Sequence, residues 1–343
     1  MTVNKHNTLL VLLVLAAFLI FGVGIFVGSF FSKETPKVSQ PVACQNDNSN
    51  TEIHENIGKL TNPLLLCDTS THIETGEFKI FEQKLYAVVD TLISEHKVDH
   101  VAIYFRKLLD GAWFGTNEKE IFTPASLLKV PTMLAIFKQA DSDPTILNDK
   151  LRYTKVYFLD KPHFEPEQKL EIGKEYTVDE LITRMVKYSD NESLFLLRDK
   201  FDPKIFEDVY RDLKMLPPND SISNDFMTIR SYATFFRVLF NTSYLSVAMS
   251  EKALEILTNT SFNVGITKGV PPDVQVAHKF GERTYTDDNS KQLHDCGIIY
   301  FPNDPYLLCV MTKGQDFDSL ASVLAEISKD VWNEMKLRSK DMP

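Results

Sequence analysis

Ser126 and Lys129 stand three residues apart in the stretch FTPASLLKVPTML. A serine hydroxyl is a poor nucleophile until a base takes its proton. Positions i and i+3 share one face of a helix, so the Lys129 amine can be brought to Ser126. Burial and nearby positive charge lower a lysine pKa, which lets the neutral amine act as that base. A serine at a helix N-terminus also sits among unpaired backbone N–H groups, which suit a developing oxyanion. Taken alone, the pair reads more simply as an exposed helix cap, because serine is a good N-cap residue. Pro131 forfeits one helical hydrogen bond, to Leu127, just past this turn.

Two further stretches carry chemistry. YSDNES, Tyr188 to Ser193, follows TVDELITRMVK, where Thr177 and Glu180 form a capping-box pattern before an apolar helical run. That helix should end near Tyr188 and leave Ser189, Asp190 and Asn191 on a connecting loop. There Ser189 can relay a proton to a leaving group, and Asn191 can donate its amide to a substrate. VQVAHKFGERT, residues 274–284, reads as a strand in which Gly281 allows close approach of a ligand. Lys279 would place positive charge near a substrate carboxylate. In isolation these two stretches are an ordinary helix-linking loop and an edge-strand lysine.

The elements that must hold these residues are legible as periodicities. FKIFEQKLYAVVDTLISEH repeats its apolar residues at helical spacing. HVAIYFRKL alternates as a strand, and GAWFGTN reads as its hairpin partner. Residues 126 to about 260 are mainly helical. HDCGIIYFPNDPYLLCVMT reads as two strands joined at PNDP, and FDSLASVLAEISKDVWNEM as a closing amphipathic helix. The expected class is α/β, an α+β sandwich. Its antiparallel sheet is assembled from both chain ends and flanked by helices, with a mainly helical subdomain inserted over about 126–260.

The 343 residues, 43% hydrophobic and 24% charged, suffice for a packed core. The formal net charge of −10 argues against nucleic acid as a partner. No zinc-type Cys/His spacing or phosphate-binding glycine loop occurs, so no metal or cofactor is expected. Thr8–Phe31 is an uncharged apolar run, long enough for a bilayer-spanning helix. The chain therefore divides into a tail (1–7), a signal anchor (8–31), a polar linker (32–58) and a globular domain (59–343). Gly24 and Gly28 belong to that span more readily than to a dimer face, and the oligomeric state is not legible. Of four cysteines, Cys44 and Cys67 flank the domain start and are candidates for pairing outside the cytoplasm. Cys296 and Cys309 fall in apolar strands and are expected to be buried free thiols.

Ser126-Leu-Leu-Lys129, Ser189-Asp190-Asn191 and Lys279-Phe280-Gly281 occur in the order of the three signatures of class A β-lactamases and penicillin-binding proteins. Separations of 60 residues from Lys129 to Ser189 and 90 from Ser189 to Lys279 resemble class A as well. The resemblance covers roughly residues 75–335. It implies that Ser126 is the acylated nucleophile and Lys129 its base or proton relay. Ser189 then passes a proton to the leaving nitrogen, Asn191 holds the substrate side chain, and Lys279 lends positive potential. The backbone N–H groups of Ser126 and Glu282, the residue after Gly281, would form the oxyanion hole. The implied substrate is a β-lactam, another small molecule or a peptidoglycan-type peptide, met outside the cytoplasm at the membrane that Thr8–Phe31 would anchor. A catalytically silent envelope-binding protein that keeps the fold is the rival reading.

Two departures from the resemblance matter. Phe280 stands where the third signature has threonine, and phenylalanine cannot donate a hydrogen bond to a carboxylate. Such a bond to a charged group is worth roughly 1.5–3 kcal/mol. The ring is expected either to fill space in or beside the pocket or to point away from it. No Glu-x-x-Leu-Asn motif follows Ser-Asp-Asn to supply a deacylating base, and Asp225 is only a weak candidate for that role.

Overall fold

The computed structural model describes residues 54, 58–64, 78–157, 161–218 and 225–340. The apolar run Thr8–Phe31, nearly all of the 32–58 linker, and Cys44 and Cys67 lie outside the described residues. Among the described residues no helix is long and apolar enough to cross a membrane.

Helix α1 (Lys79–Ser94) leads into the hairpin β1 (His100–Lys107) and β2 (Trp113–Thr116), as the two periodicities require. After the short β3 (Ile121–Phe122), a 3₁₀ turn spans Ala125–Leu128 and continues into α2 (Lys129–Ser142). The small pair β4 (Lys150–Arg152) and β5 (Glu175–Thr177) precedes α3 (Val178–Lys187), α4 (Asn191–Lys200) and α5 (Pro203–Asp212). Then follow β6 (Met227–Thr228), α6 (Ile229–Phe240) and α7 (Val247–Thr258). Strands β7 (Val276–Thr284), β8 (Lys291–Ile299) and β9 (Tyr306–Gly314) lead to α8 (Phe317–Lys340).

The main sheet is antiparallel, in the order β2-β1-β9-β8-β7. β1 pairs with the last strand from His100↔Lys313 to Lys107↔Tyr306, so the two ends of the domain close one sheet. Successive side chains on a strand point to opposite faces. Val101, Ile103 and Phe105 accordingly join Val310, Leu308 and the buried residues of α1 and α8. Ala102 and Tyr104 join Ala277, Met311 and the helical layer on the other face. β7 is left at the sheet edge.

Helix α2 is buried nearly all round, with Val130, Met133, Leu134, Ile136 and Phe137 each fully covered. A helix without a polar stripe belongs at the centre of its layer, and α3, α5 and α7 pack around it. The capping box is present at the start of α3. Thr177 N–H donates to Glu180 Oε2 at 2.7 Å, and Glu180 N–H to Thr177 Oγ1 at 3.1 Å.

The cysteine expectation needs correction. Cys296 on β8 and Cys309 on β9 stand opposite each other in register, with Cα atoms 3.9 Å apart, and are joined as a disulfide. Strand register, which the sequence does not display, brings them together.

Candidate active site

Ser126 lies on the 3₁₀ turn, one turn before α2, and is partly exposed. The turn is entered through Ala125, whose φ of +46° is in the left-handed region. Lys129, the first residue of α2, is 1% exposed. Its Nζ lies 2.9 Å from Ser126 Oγ, 3.0 Å from Ser189 Oγ, 2.6 Å from the Ser189 carbonyl oxygen and 2.7 Å from Asn191 Oδ1. Burial is the main reason its pKa falls to about 7, opposed by the negative charge of Asp190 and Glu282. A neutral amine within hydrogen-bond reach of a serine hydroxyl is the geometry that general-base activation requires.

Pro131 does free the Leu127 carbonyl, and the structure shows what takes the place of the missing bond. The buried Tyr232 hydroxyl on α6 donates to Leu127 O at 3.1 Å. The turn that carries Ser126 is thereby pinned from beneath.

Helix α3 ends where its periodicity predicts, but the connection to α4 is tighter than a loop of three residues. Asn191 is already the first residue of α4, and Asp190 is its N-cap, accepting from Glu192 N–H at 3.0 Å and from Ser193 Oγ at 2.5 Å. Ser189 alone makes the turn, at φ +56°. A non-glycine residue in that region costs about 1–3 kcal/mol and persists only where its surroundings hold it. Here the bonds from Lys129 to both Ser189 oxygens do so.

Lys279 enters from β7. Far from being an exposed edge lysine, it is fully buried, and its Nζ donates to Ser189 Oγ at 3.0 Å and to Phe280 O at 2.9 Å. Burial, and then the charge of Lys129, hold its pKa well below the ordinary lysine value. Gly281 makes the approach of β7 feasible. A Cβ there would lie 2.8 Å from Pro124 O and 3.0 Å from Leu127 N, so any side chain would push the strand off the nucleophile turn. Ser126, Lys129, Ser189, Asn191 and Lys279 thus converge, with Gly281 against the turn and Glu282 next along the edge strand.

The Phe280 ring lies beside the cleft. It is 3% exposed, stacks on Phe262 at 4.2 Å between centroids, and has the Lys279 Nζ 4.1 Å from its own centroid. The amine that would meet a substrate carboxylate is therefore covered by a hydrocarbon ring. Asp225 is tied to the Tyr285 hydroxyl and, at 3.3 Å, to Gln292 Nε2. The hydrogen bonds of Lys129 reach no carboxylate.

Sequence reasoning missed two contributors and half the part of a third. Tyr232 was hidden in an apolar helix, although Pro131 signalled that Leu127 O would need a partner. Phe164 is an isolated aromatic in the polar, proline-containing stretch KPHFEPEQ, which is itself a signal. Glu282 was singled out for its backbone N–H, yet its carboxylate also accepts the N–H groups of His163 and Phe164.

Known proteins share this arrangement of elements. A β-lactamase from Chitinophaga pinensis aligns with a TM-score of 0.64 at 20% identity, over 74% of this chain and 99% of that one. A class A β-lactamase from Bacteroides cellulosilyticus aligns with a TM-score of 0.62 at 19% identity, over 74% and 97%. A mutant of PBP-A, solved as an acyl-enzyme complex with penicillin G, aligns with a TM-score of 0.60 at 21% identity, over 74% and 97%. At these identities the likeness establishes the fold alone. No curated protein matches the sequence. The family model of the β-lactamase enzyme family, however, matches residues 83–335, which include every residue of the cleft described above. The chain belongs to the β-lactamase enzyme family.

Proposed function

We propose that this protein is a serine hydrolase or acyltransferase that works through an acyl-enzyme on a β-lactam or a related amide or peptide of the cell envelope. The observation that carries the reading is the Lys129 amine, with its pKa near 7, 2.9 Å from the Ser126 hydroxyl.

In this mechanism Ser126 Oγ attacks the amide carbonyl carbon as its proton passes to neutral Lys129 Nζ. Negative charge develops on the carbonyl oxygen, facing the backbone N–H groups of Ser126 and Glu282. The C–N bond then breaks, and Ser189 Oγ, in contact with both lysines, delivers a proton to the departing nitrogen. The product is an ester on Ser126. The hydrogen bonds of Lys129 reach no carboxylate that would share in activating water, so the ester is expected to be long-lived or to pass to an amine acceptor. Thr8–Phe31 would hold the domain at the outer face of a membrane, where peptidoglycan-type substrates are met.

Intact-mass spectrometry of the protein after incubation with several β-lactams tests the reading. One acyl adduct per chain, absent from Ser126→Ala and persisting over hours, supports it. A wild type inert to β-lactams and to phosphonate probes would overturn it. That result would favour the second reading, a catalytically silent binding protein, which the Phe280 ring over Lys279 independently supports.

A further inference from the structure

Residues 161–170 reach both walls of the cleft. On one wall Lys161, Pro162, Glu165 and Pro166 line a cavity of about 370 Å³ together with Ser189 and Asn191. On the other, the Glu282 carboxylate accepts the backbone N–H groups of His163 at 3.0 Å and Phe164 at 3.1 Å. The Phe164 ring packs edge-on against Phe262 at 4.9 Å and Phe280 at 5.8 Å, and the His163 ring stacks on Phe317 at 4.8 Å. Lys129 bonds Ser126 and Asn191 alike, and Gly281, next to Glu282, lies against the turn that carries Ser126, so the segment is anchored on both sides of Ser126. β7 is the edge strand of the sheet, and Glu282 is on it, next to the buried stretch that meets the Ser126 turn.

We infer that Lys161–Pro166 is a strap across the acyl-donor cleft, and that Glu282 and Phe164 are specificity-determining residues that hold it shut against bulky donors while compact ones pass. The catalytic arm of this inference rests on the serine mechanism above. Backbone N–H bonds to a carboxylate are charge-assisted and stronger than neutral ones. The Phe164 ring adds an apolar wedge among three other aromatic rings. Both anchors are non-covalent, so the strap can lift as loops over active sites do. The two anchors are also separable. Glu282→Gln removes the charge and keeps the strand's N–H, whereas Phe164→Ala removes the wedge and leaves Glu282 in place.

The test uses the full-length chain and two probes of Ser126, a compact alkyl fluorophosphonate and a bulky fluorescent penicillin. Glu282→Gln is expected to raise the penicillin-to-phosphonate labelling ratio by about tenfold, the size of one lost charge-assisted anchor, and Phe164→Ala to raise it in the same direction. An unchanged ratio in both variants would overturn the inference. Hydrogen exchange reads the strap without any chemistry at Ser126. The His163 and Phe164 amides should be protected in wild type and exchange faster in Glu282→Gln. Amides as fast in wild type as in an unstructured peptide would overturn the strap. If neither probe labels wild type, the serine mechanism fails alone, and the exchange result still decides whether Glu282 holds the strap.

Discussion

Lys129 and Lys279 meet at one atom, Ser189 Oγ, each 3.0 Å from it, and both have depressed pKa values because both are buried. Their other neighbours differ in kind. Lys129 is surrounded by oxygen, including the partly exposed Ser126 hydroxyl, and can exchange a proton with a reacting group. Lys279 is capped by the Phe280 ring and bonded to that residue's own carbonyl, so a carboxylate has no direct route to it. The first half of the cleft sets a depressed-pKa amine against a serine hydroxyl, while the half that would anchor an anionic substrate is covered with hydrocarbon. Proton transfer and substrate anchoring are separable here because they rest on different elements, α2 with the α3–α4 turn in the first case and the edge strand in the second.

The largest effect should come from the nucleophile half. Lys129→Met is expected to slow acylation by roughly 10²–10⁴-fold, the usual worth of a positioned general base, measured with a phosphonate probe. In wild type the acylation rate should rise through pH about 7, as Lys129 loses its proton, and that inflection should vanish in the variant. The same burial acts on stability with a definite sign. Between pH 7 and 10.5 the unfolded chain holds the Lys129 proton and the folded one does not, so stability rises with pH across that window. Lys129→Met should lose this pH dependence of the melting temperature between pH 7 and 10.5, and a variant that keeps it in full would contradict the burial argument.

Phe280→Thr probes the other half. Restoring a hydroxyl and uncovering Lys279 should speed acylation by carboxylate-bearing β-lactams about ten- to a hundredfold, at a cost of about 3 kcal/mol for the lost ring. Equal acceleration with a neutral phosphonate would show that the ring blocks access in general and not carboxylate binding. Tyr232→Phe removes the partner of Leu127 O and is expected to destabilise the fold by about 1–3 kcal/mol, read from the urea midpoint. The smallest effect is expected for Asp225→Asn. Its carboxylate is engaged with Tyr285 and Gln292, so deacylation of any penicilloyl adduct should change by less than about twofold, within ordinary surface-substitution scatter. A marked slowing would mean that Asp225 reaches the acyl-enzyme after all.

Much of this is legible in the sequence alone. The alternation of HVAIYFRKL and the capping pair Thr177 and Glu180 are local signals, set by side-chain direction within a few residues, and they placed β1 and the start of α3 correctly. Spacing and order single out Ser126, Lys129, Ser189, Asn191 and Lys279, which the structure brings together. The loop reading of Asn191 failed by one residue because Asp190 caps α4 directly and Ser189 absorbs the whole turn in one strained conformation. Cys296 and Cys309 were misjudged because pairing across strands depends on register, which apolar runs do not specify.

The chain itself determined which groups are present and how its local elements begin and end, since helix and strand periodicity and capping act over a handful of neighbours. Only the packed structure decided that two lysines 150 residues apart share one serine oxygen. It also decided that Phe280 lies over the Lys279 amine, and that a glutamate on the edge strand grips a distant loop. Those outcomes depend on which faces the sheet and the helical layer bury against each other, and burial in turn sets the lysines' proton affinity through the cost of keeping charge away from water.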